Sequence, residues 1–321
     1  MEEVRPASAE STIPQSNLTN RKKRKKWKPV QWMCFGFALI PILSFLVFSG
    51  FPVGISFVAM FTNMRNNVLA TMEWNSFDNF RVVFTDDAFW KSWTTTFWLA
   101  GAQLVSFCIA LLIAVLLEKN TKGAKAMQVF FFVPYICSTA AIAIMWSWIF
   151  KGSEIGLLNT LFGTNIDWLF DIDHPYRLVW CVFITIVWQA PAYGIVMFKA
   201  ALRNINPSLY EAADIDGANG FNKFWHITLP GIKAVSLFLL LAGITGGLAV
   251  FDSVLILAPL KFSGVAGPEN VGLTVNYYIY LHGVTWKNMQ YAAVASWALF
   301  VVTFLISFPI IRARNKLAAE E

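Results

Sequence analysis

Apolar residues in this chain gather into six long stretches, at about 32–60, 92–117, 128–150, 178–198, 234–258 and 290–311, with mixed or polar segments between them. A hydrocarbon core about 30 Å thick is crossed by about 20 apolar residues rising 1.5 Å each. Every one of the six is long enough. The expected fold class is therefore an all-α integral membrane protein with six transmembrane helices. Pro41, Pro52, Pro134, Pro191 and Pro309 fall inside these stretches. Kinks are expected there, because membrane helices tolerate proline where neighbours re-satisfy the freed backbone groups.

Composition supports the same class. The chain is 57% hydrophobic and only 14% charged, against about 25% charged in an ordinary soluble domain. A net charge of +6 raises nucleic acid as a partner, but its distribution argues against one. Seven of the basic residues lie in Arg21–Lys28, beside the first apolar stretch. Such a run sets topology; contact with anionic membrane lipid is the sharper alternative. The first stretch is too long for the h-region of a cleavable signal, about 7–15 residues, so it is expected to be retained. The expected organisation is a basic cytosolic tail over 1–31, a six-helix membrane domain over 32–315, and a short cytosolic tail over 316–321.

Charge bias sets the expected orientation. With a cytosolic N-terminus, the inner segments carry 18 Lys and Arg and the outer segments 63–91, 151–177 and 259–289 carry seven. Both termini are thus expected in the cytosol. Trp90, Trp93, Trp148 and Trp168 fall near span boundaries, where an aromatic belt would lie. Cys34, Cys108, Cys137 and Cys181 all fall in apolar stretches without metal-ligand spacing. They read as small apolar residues.

Segment 199–233 is cytosolic in this topology, long for a loop, and not simply polar. Asn206-Pro207-Ser208 can open a short helix, since proline suits its first turn. Leu209, Ala212, Ala213 and Ile215 follow, Gly217 and Gly220 interrupt, and Phe221, Phe224, Trp225 and Ile227 resume before Pro230. By spacing alone this is either a close-packed contact for a partner or an amphipathic helix lying on the membrane.

Glu211-Ala212-Ala213, Asp216-Gly217-Ala218, Phe224, Ile227 and Leu229-Pro230 fit the form EAA-x-x-DGA-x5-F-x-x-I-x-LP. This resembles the EAA motif of binding-protein-dependent ABC importer permeases, in the carbohydrate-uptake branch that includes the maltose and glycerol-phosphate permeases. The resemblance extends over about residues 35 to 315. It takes in Asn79-Phe80 with Phe89-Trp90, Pro134, Trp146, Gly156-Leu157-Leu158-Asn159, Phe251-Asp252 and Tyr291-Ala292-Ala293. Gln290 departs from it, standing where the family often has glycine. So does the loop 259–268, where Gly264 and Gly267-Pro268 replace a tighter turn.

The resemblance implies a type I importer permease fold in a bacterial or archaeal cell membrane. It also implies the partners: a second homologous permease, two copies of an ABC ATPase, and an extracellular or periplasmic solute-binding protein delivering a sugar, oligosaccharide or polyol. ATP and Mg would be bound by the ATPase, with no cofactor in this chain. Carried over by residue, Glu211 would be the acidic contact to the ATPase, and Ala212, Ala213, Asp216, Gly217 and Ala218 its close-packed, bent surface.

The sequence has no GxxxxGK[ST] phosphate-binding loop, so ATP hydrolysis is expected in a separate chain and this one is not expected to be an enzyme. His174, His226 and His282 lie near boundaries or in loops and are expected as surface residues. Asp252 is the one acid deep in an expected span, where such a group by default faces a cavity or a partner. Trp188, Gln189 and Tyr193 sit mid-span in the fourth helix and suit a sugar, which binds by aromatic stacking and planar hydrogen-bonding groups. Trp188 and Gln189 face different directions on a helix, so the three cannot line one wall equally. The competing class is a secondary transporter or channel acting without an ATPase.

Overall fold

A computed structural model describes residues 29–64, 68–118, 123–258 and 266–320. The basic stretch Arg21–Lys28 and the loop positions 259–265, Gly264 included, lie outside the described residues. The chain divides into two compact units, Met1–Val53 and Gly54–Glu321. In the first, a helix runs from Pro29 to Phe45 with Pro41 inside it, followed by a π turn at Leu46–Gly50. Its large side chains, Phe37, Phe45 and Phe48 among them, are exposed.

Among the described residues, five helices are long and apolar enough to cross a membrane: Met33–Ala59, Asp87–Glu118, Arg177–Arg203, Lys233–Leu257 and Met289–Lys316. A bent pair, Val129–Ile136 and Thr139–Ile149, turned by 107°, reaches that length only when its two arms are taken together. The kink expected at Pro134 is thus present, but as a sharp turn a few residues after the proline and not a mild bend at it. Pro134 lacks an N–H for the preceding turn, and Ser138 starts the second arm as its N-cap, accepting from the Ala141 N–H at 3.2 Å.

Two more spans are interrupted. In the fourth the helix path continues through Ala190, and only the hydrogen-bond ladder is interrupted, because Pro191 has no N–H to donate. The fifth stops at Leu248 and restarts at Asp252. Backbone freed by that second break is re-satisfied from the loop that follows: Thr274 Oγ1 donates to Val250 O at 3.0 Å, and Asn276 Nδ2 donates to Leu248 O at 3.4 Å.

The second span packs along the fourth and fifth. Small residues set the approach, as they do between membrane helices generally. A Cβ on Gly194 would come within 2.8 Å of Ala110 Cβ, and one on Gly247 within 2.8 Å of Ala100 Cα. Buried Leu99, Ala102, Ala110 and Ala114 form the second span's inward stripe.

The end where the second span begins is closed by polar side chains. Residues Thr62–Asn63 and Glu73–Trp74 pair as a short antiparallel ribbon. Asn79, fully buried, donates to Met60 O at 3.0 Å and Thr62 O at 2.9 Å. Asn159 plays the same part in the loop after the third span. Its Nδ2 donates to Ile166 O at 2.9 Å and Ser153 O at 3.2 Å; its Oδ1 accepts from Trp168 Nε1 and Thr164 Oγ1, both at 2.9 Å. Asp86 caps the second span by accepting the Ala88 N–H, and also accepts the Tyr278 hydroxyl at 2.8 Å. Thr95 Oγ1 donates to Val271 O at 2.7 Å, and Thr96 Oγ1 accepts the Val275 N–H at 2.9 Å.

These contacts correct two expectations. Trp90 and Trp148 are exposed as a belt requires, but Trp93 is buried and Trp168 turns inward to Asn159. His282 is not a surface residue. Its ring packs on Tyr278 at 4.2 Å between centroids and on Trp286 at 4.7 Å, and its buried Nδ1 has no hydrogen-bond partner among the described residues. Burial pushes its pKa down to about 4, against a smaller upward pull from Asp86.

Candidate functional site

The interruptions in these three spans meet at one place. Cys137 and Ser138 from the third, Ala190 from the fourth, and Ala249, Val250 and Phe251 from the fifth all line a cavity of about 510 Å³. Irregular backbone at membrane depth is tolerated where it lines a cavity, and half-helix breaks mark substrate sites in many transporters.

The expected pathway residues divide here. Gln189, Tyr193 and Asp252 line the cavity together. Asp252 stands in the first turn of Asp252–Leu257, after the break. Trp188 is not among the lining residues. One position before Gln189 it points elsewhere, its indole set edge-to-face on Trp146 at 5.7 Å. The rest of the lining escaped sequence reading. Tyr135 stacks on Tyr193 with centroids 6.1 Å apart and planes 18° apart, across two different spans. Gln103 and Ser106 were a detectable signal, since they are polar and three apart on one face of the second span.

At the other end of the bundle the segment 206–230 forms two short helices. Asn206 caps the first, Pro207–Ile215, by accepting the Ser208 N–H at 3.1 Å, with Pro207 at its first position. Asp216 is the C-cap and Gly217 follows at φ +73°. The Ala218 N–H reaches Ala213 O at 2.9 Å and the Gly217 N–H reaches Asp214 O at 3.2 Å. This bond pair is the Schellman motif, with glycine at the left-handed position. Asn219 then caps Gly220–Lys223, accepting the Asn222 N–H at 2.8 Å.

A π turn at Phe224–Thr228 ends two residues before Pro230, as the one at Leu46–Gly50 ends two before Pro52. In a regular turn the proline ring clashes with the carbonyl four residues back; widening the turn relieves it. The turn-making residues of the motif thus have local structural reasons to be where they are.

Its other residues do not. Tyr210 ties the first helix inward through its hydroxyl to Thr228 Oγ1 at 2.9 Å, and Lys223 pairs with Asp214. Ala213 and Ala218 are half-buried against that side, while Glu211, Ala212, Asp216 and Gly217 are exposed. Leu209, Phe221 and Ile215 are also exposed, Ile215 to 87%. This face is acidic, apolar and small-residued at once, and nothing within the described chain covers it. Sequence reading named Ile215 among the apolar residues of the segment but not among its coupling residues; its exposure is revealed by the fold.

Comparison with known proteins gives a consistent picture. Residues 106–318 match the family model for the binding-protein-dependent transport system inner membrane component. The probable ABC transporter permease protein YesP of Bacillus subtilis is 32% identical over 288 residues, 87% of this chain and 90% of that one. The arabinooligosaccharides transport system permease protein AraP of the same organism is 29% identical over 273 residues, 83% of each. Among solved structures, a bacterial alginate ABC transporter in complex with an alginate pentasaccharide-bound periplasmic protein shares the fold. Its TM-score is 0.74 at 21% identity, covering 90% of this chain and 96% of that one.

Proposed function

The chain belongs to the family of binding-protein-dependent transport system inner membrane components, and on that premise we propose that it forms half of the translocation pathway of an ATP-driven sugar importer. Its partners are a second homologous permease, two copies of an ABC ATPase that bind ATP and Mg, and a solute-binding protein outside the bacterial cytoplasmic membrane. Both termini and the segment 199–233 face the cytosol. The cargo is a sugar, oligosaccharide or polyol. Relatives named for sugar cargo support that class and leave its charge open, since one is named for arabinooligosaccharides and another for alginate.

One observation carries the coupling half of this reading. The helix Pro207–Ile215 is capped at both ends by its own chain, yet its outer face, with Glu211, Ala212, Ile215 and Asp216, is left uncovered. A helix shaped so completely and finished on one side only is a rigid lever for a partner. Glu211 meets a basic group of the ATPase, and Ala212, Ala213, Gly217 and Ala218 allow close backbone approach. Closure of the ATPase dimer moves this lever, and rigid-body rocking of the spans opens the cavity to one side and then the other. Gln189, Tyr193 and Asp252 contact the cargo there, while Trp188 supports the wall from behind.

The test is a mild-detergent pull-down of the chain from its native membrane with identification of what accompanies it. Recovery of a second permease and an ATPase is the expected result. Recovery of this chain alone, under conditions that hold known importers together, would overturn the proposal and favour a transporter acting by itself.

A further inference from the structure

The cavity wall carries an electrostatic signature that the sugar reading does not require. Asp252 is the only charged side chain among the described residues that line the cavity; none of them is Lys, Arg or His. Among the described residues Asp252 has no ion pair and no side-chain hydrogen bond. Everything else polar on the wall is neutral. Gln103 and Gln189 offer carboxamides, and Tyr135 and Tyr193 form a stacked platform with hydroxyl rims.

Such a wall recognises hydroxyl groups and C–H faces. The carboxylate accepts from sugar hydroxyls, the carboxamides donate and accept, and the rings stack on a pyranose or furanose face. It offers nothing that neutralises an anion. A uronate or phosphate ester in this cavity of about 510 Å³ would sit beside a second negative charge with no cation on the wall to offset it, which disfavours the anion. Resting on the proposed pathway, we infer that this cavity selects uncharged saccharides over acidic ones, with Asp252 as the specificity-determining residue. The binding protein chooses which sugar arrives; the wall sets the charge of what can pass.

The cavity contains its own probe. Cys137 lines it at the break in the third span. Cys34 and Cys108 are the other exposed thiols, and Cys181 is buried. In the purified, partner-bound complex carrying Cys34→Ser and Cys108→Ser, Cys137 is labelled with two methanethiosulfonates of like size, one bearing trimethylammonium and one sulfonate. Each rate is normalised to the same reagent on free 2-mercaptoethanol. The expected normalised preference for the cation is about tenfold or more, the scale of one unit charge acting across a few ångströms of partly aqueous cavity. Asp252→Asn should bring the ratio close to one, and Asp252→Lys should invert it. A ratio of one in the parent, or a preference that survives Asp252→Asn, would overturn the charge inference while leaving the pathway intact. If Cys137 reacts with neither reagent, the cavity is closed to solutes, and the pathway reading falls together with the inference.

Discussion

The two ends of this molecule are built on opposite principles. Where the second span begins, polar side chains turn inward and are consumed: Asn79, Asn159, Asp86, Thr95, Thr96 and Thr274 each bond to backbone or to a neighbouring side chain. At the segment 206–230 local turn chemistry is equally complete, but Leu209, Ile215 and Phe221 point outward with nothing upon them. One end is finished within the chain and the other is shaped for something else. Mutations should therefore separate stability from coupling according to which end they strike.

The sharpest separation is expected at Gly217. Its φ of +73° is one that aspartate tolerates better than most residues, so Gly217→Asp should cost the fold only about 1 kcal/mol. It places bulk and charge on the face offered to the ATPase. Uptake of the cargo should fall about a hundredfold or more, with membrane level and thermal midpoint nearly unchanged. Normal uptake would break the contrast by showing that this face is not a working surface.

Asn159 is the converse case. Asn159→Ala strands the Trp168 indole N–H, the Thr164 hydroxyl and the carbonyls of Ser153 and Ile166. Each buried group left unpaired costs about 1–3 kcal/mol; with partial relaxation the sum should be about 3 kcal/mol. Fluorescence-detected size exclusion after heating should show a midpoint lower by about 6–10 °C, while ATPase co-purification below that temperature is preserved. A stable variant would mean that the loop is held mainly by its apolar contacts.

A smaller effect is expected from trimming the uncovered face. Ile215→Ser and Glu211→Ala should each weaken association with the ATPase about tenfold, equivalent to about 1.4 kcal/mol, and leave the thermal midpoint where it was. Titration of the ATPase against the permease in nanodiscs measures this directly. Unchanged affinity in both would assign the contact to other residues of the segment.

What could be read from the sequence follows the same division. Span count and placement came from unbroken hydropathy, because lipid imposes a length on every crossing. The motif at 211–230 was legible because its glycine, prolines and cap residues act locally. Asn79 and Asn159 were singled out as part of a resemblance, but their partners lie up to 19 residues away, so no local pattern revealed their work. The breaks at Cys137–Ser138 and Ala249–Phe251 were hidden for a related reason. Hydropathy records how apolar a residue is, not whether its carbonyl finds a partner, and the partners Thr274 and Asn276 come from a different loop. Grouping Trp188 with Gln189 and Tyr193 relied on proximity along the chain, whereas the cavity is assembled across spans, with Tyr135 facing Tyr193.

One weak point of the finished end, His282, gives the smallest predicted effect. His282 is neutral there because burial holds its pKa at about 4, while in the unfolded chain it returns to about 6.5. Between those values the unfolded state binds more protons than the folded one, so stability is complete above about pH 6.5 and is lost as pH falls toward 4. From pH 7 to pH 5.5 the loss assigned to this residue is about 1 kcal/mol. His282→Phe keeps an aromatic ring against Tyr278, Trp286 and Tyr291 and removes both the titration and the stranded Nδ1. Its thermal midpoint should equal or exceed the parent's at pH 7 and fall by about 2–4 °C less on acidification to pH 5.5. An equal fall in both proteins would place the acid-sensitive group elsewhere. A lower midpoint for the variant at pH 7 would show that the imidazole is held by a bond worth keeping, and that this end is more complete than its unpaired nitrogen suggests.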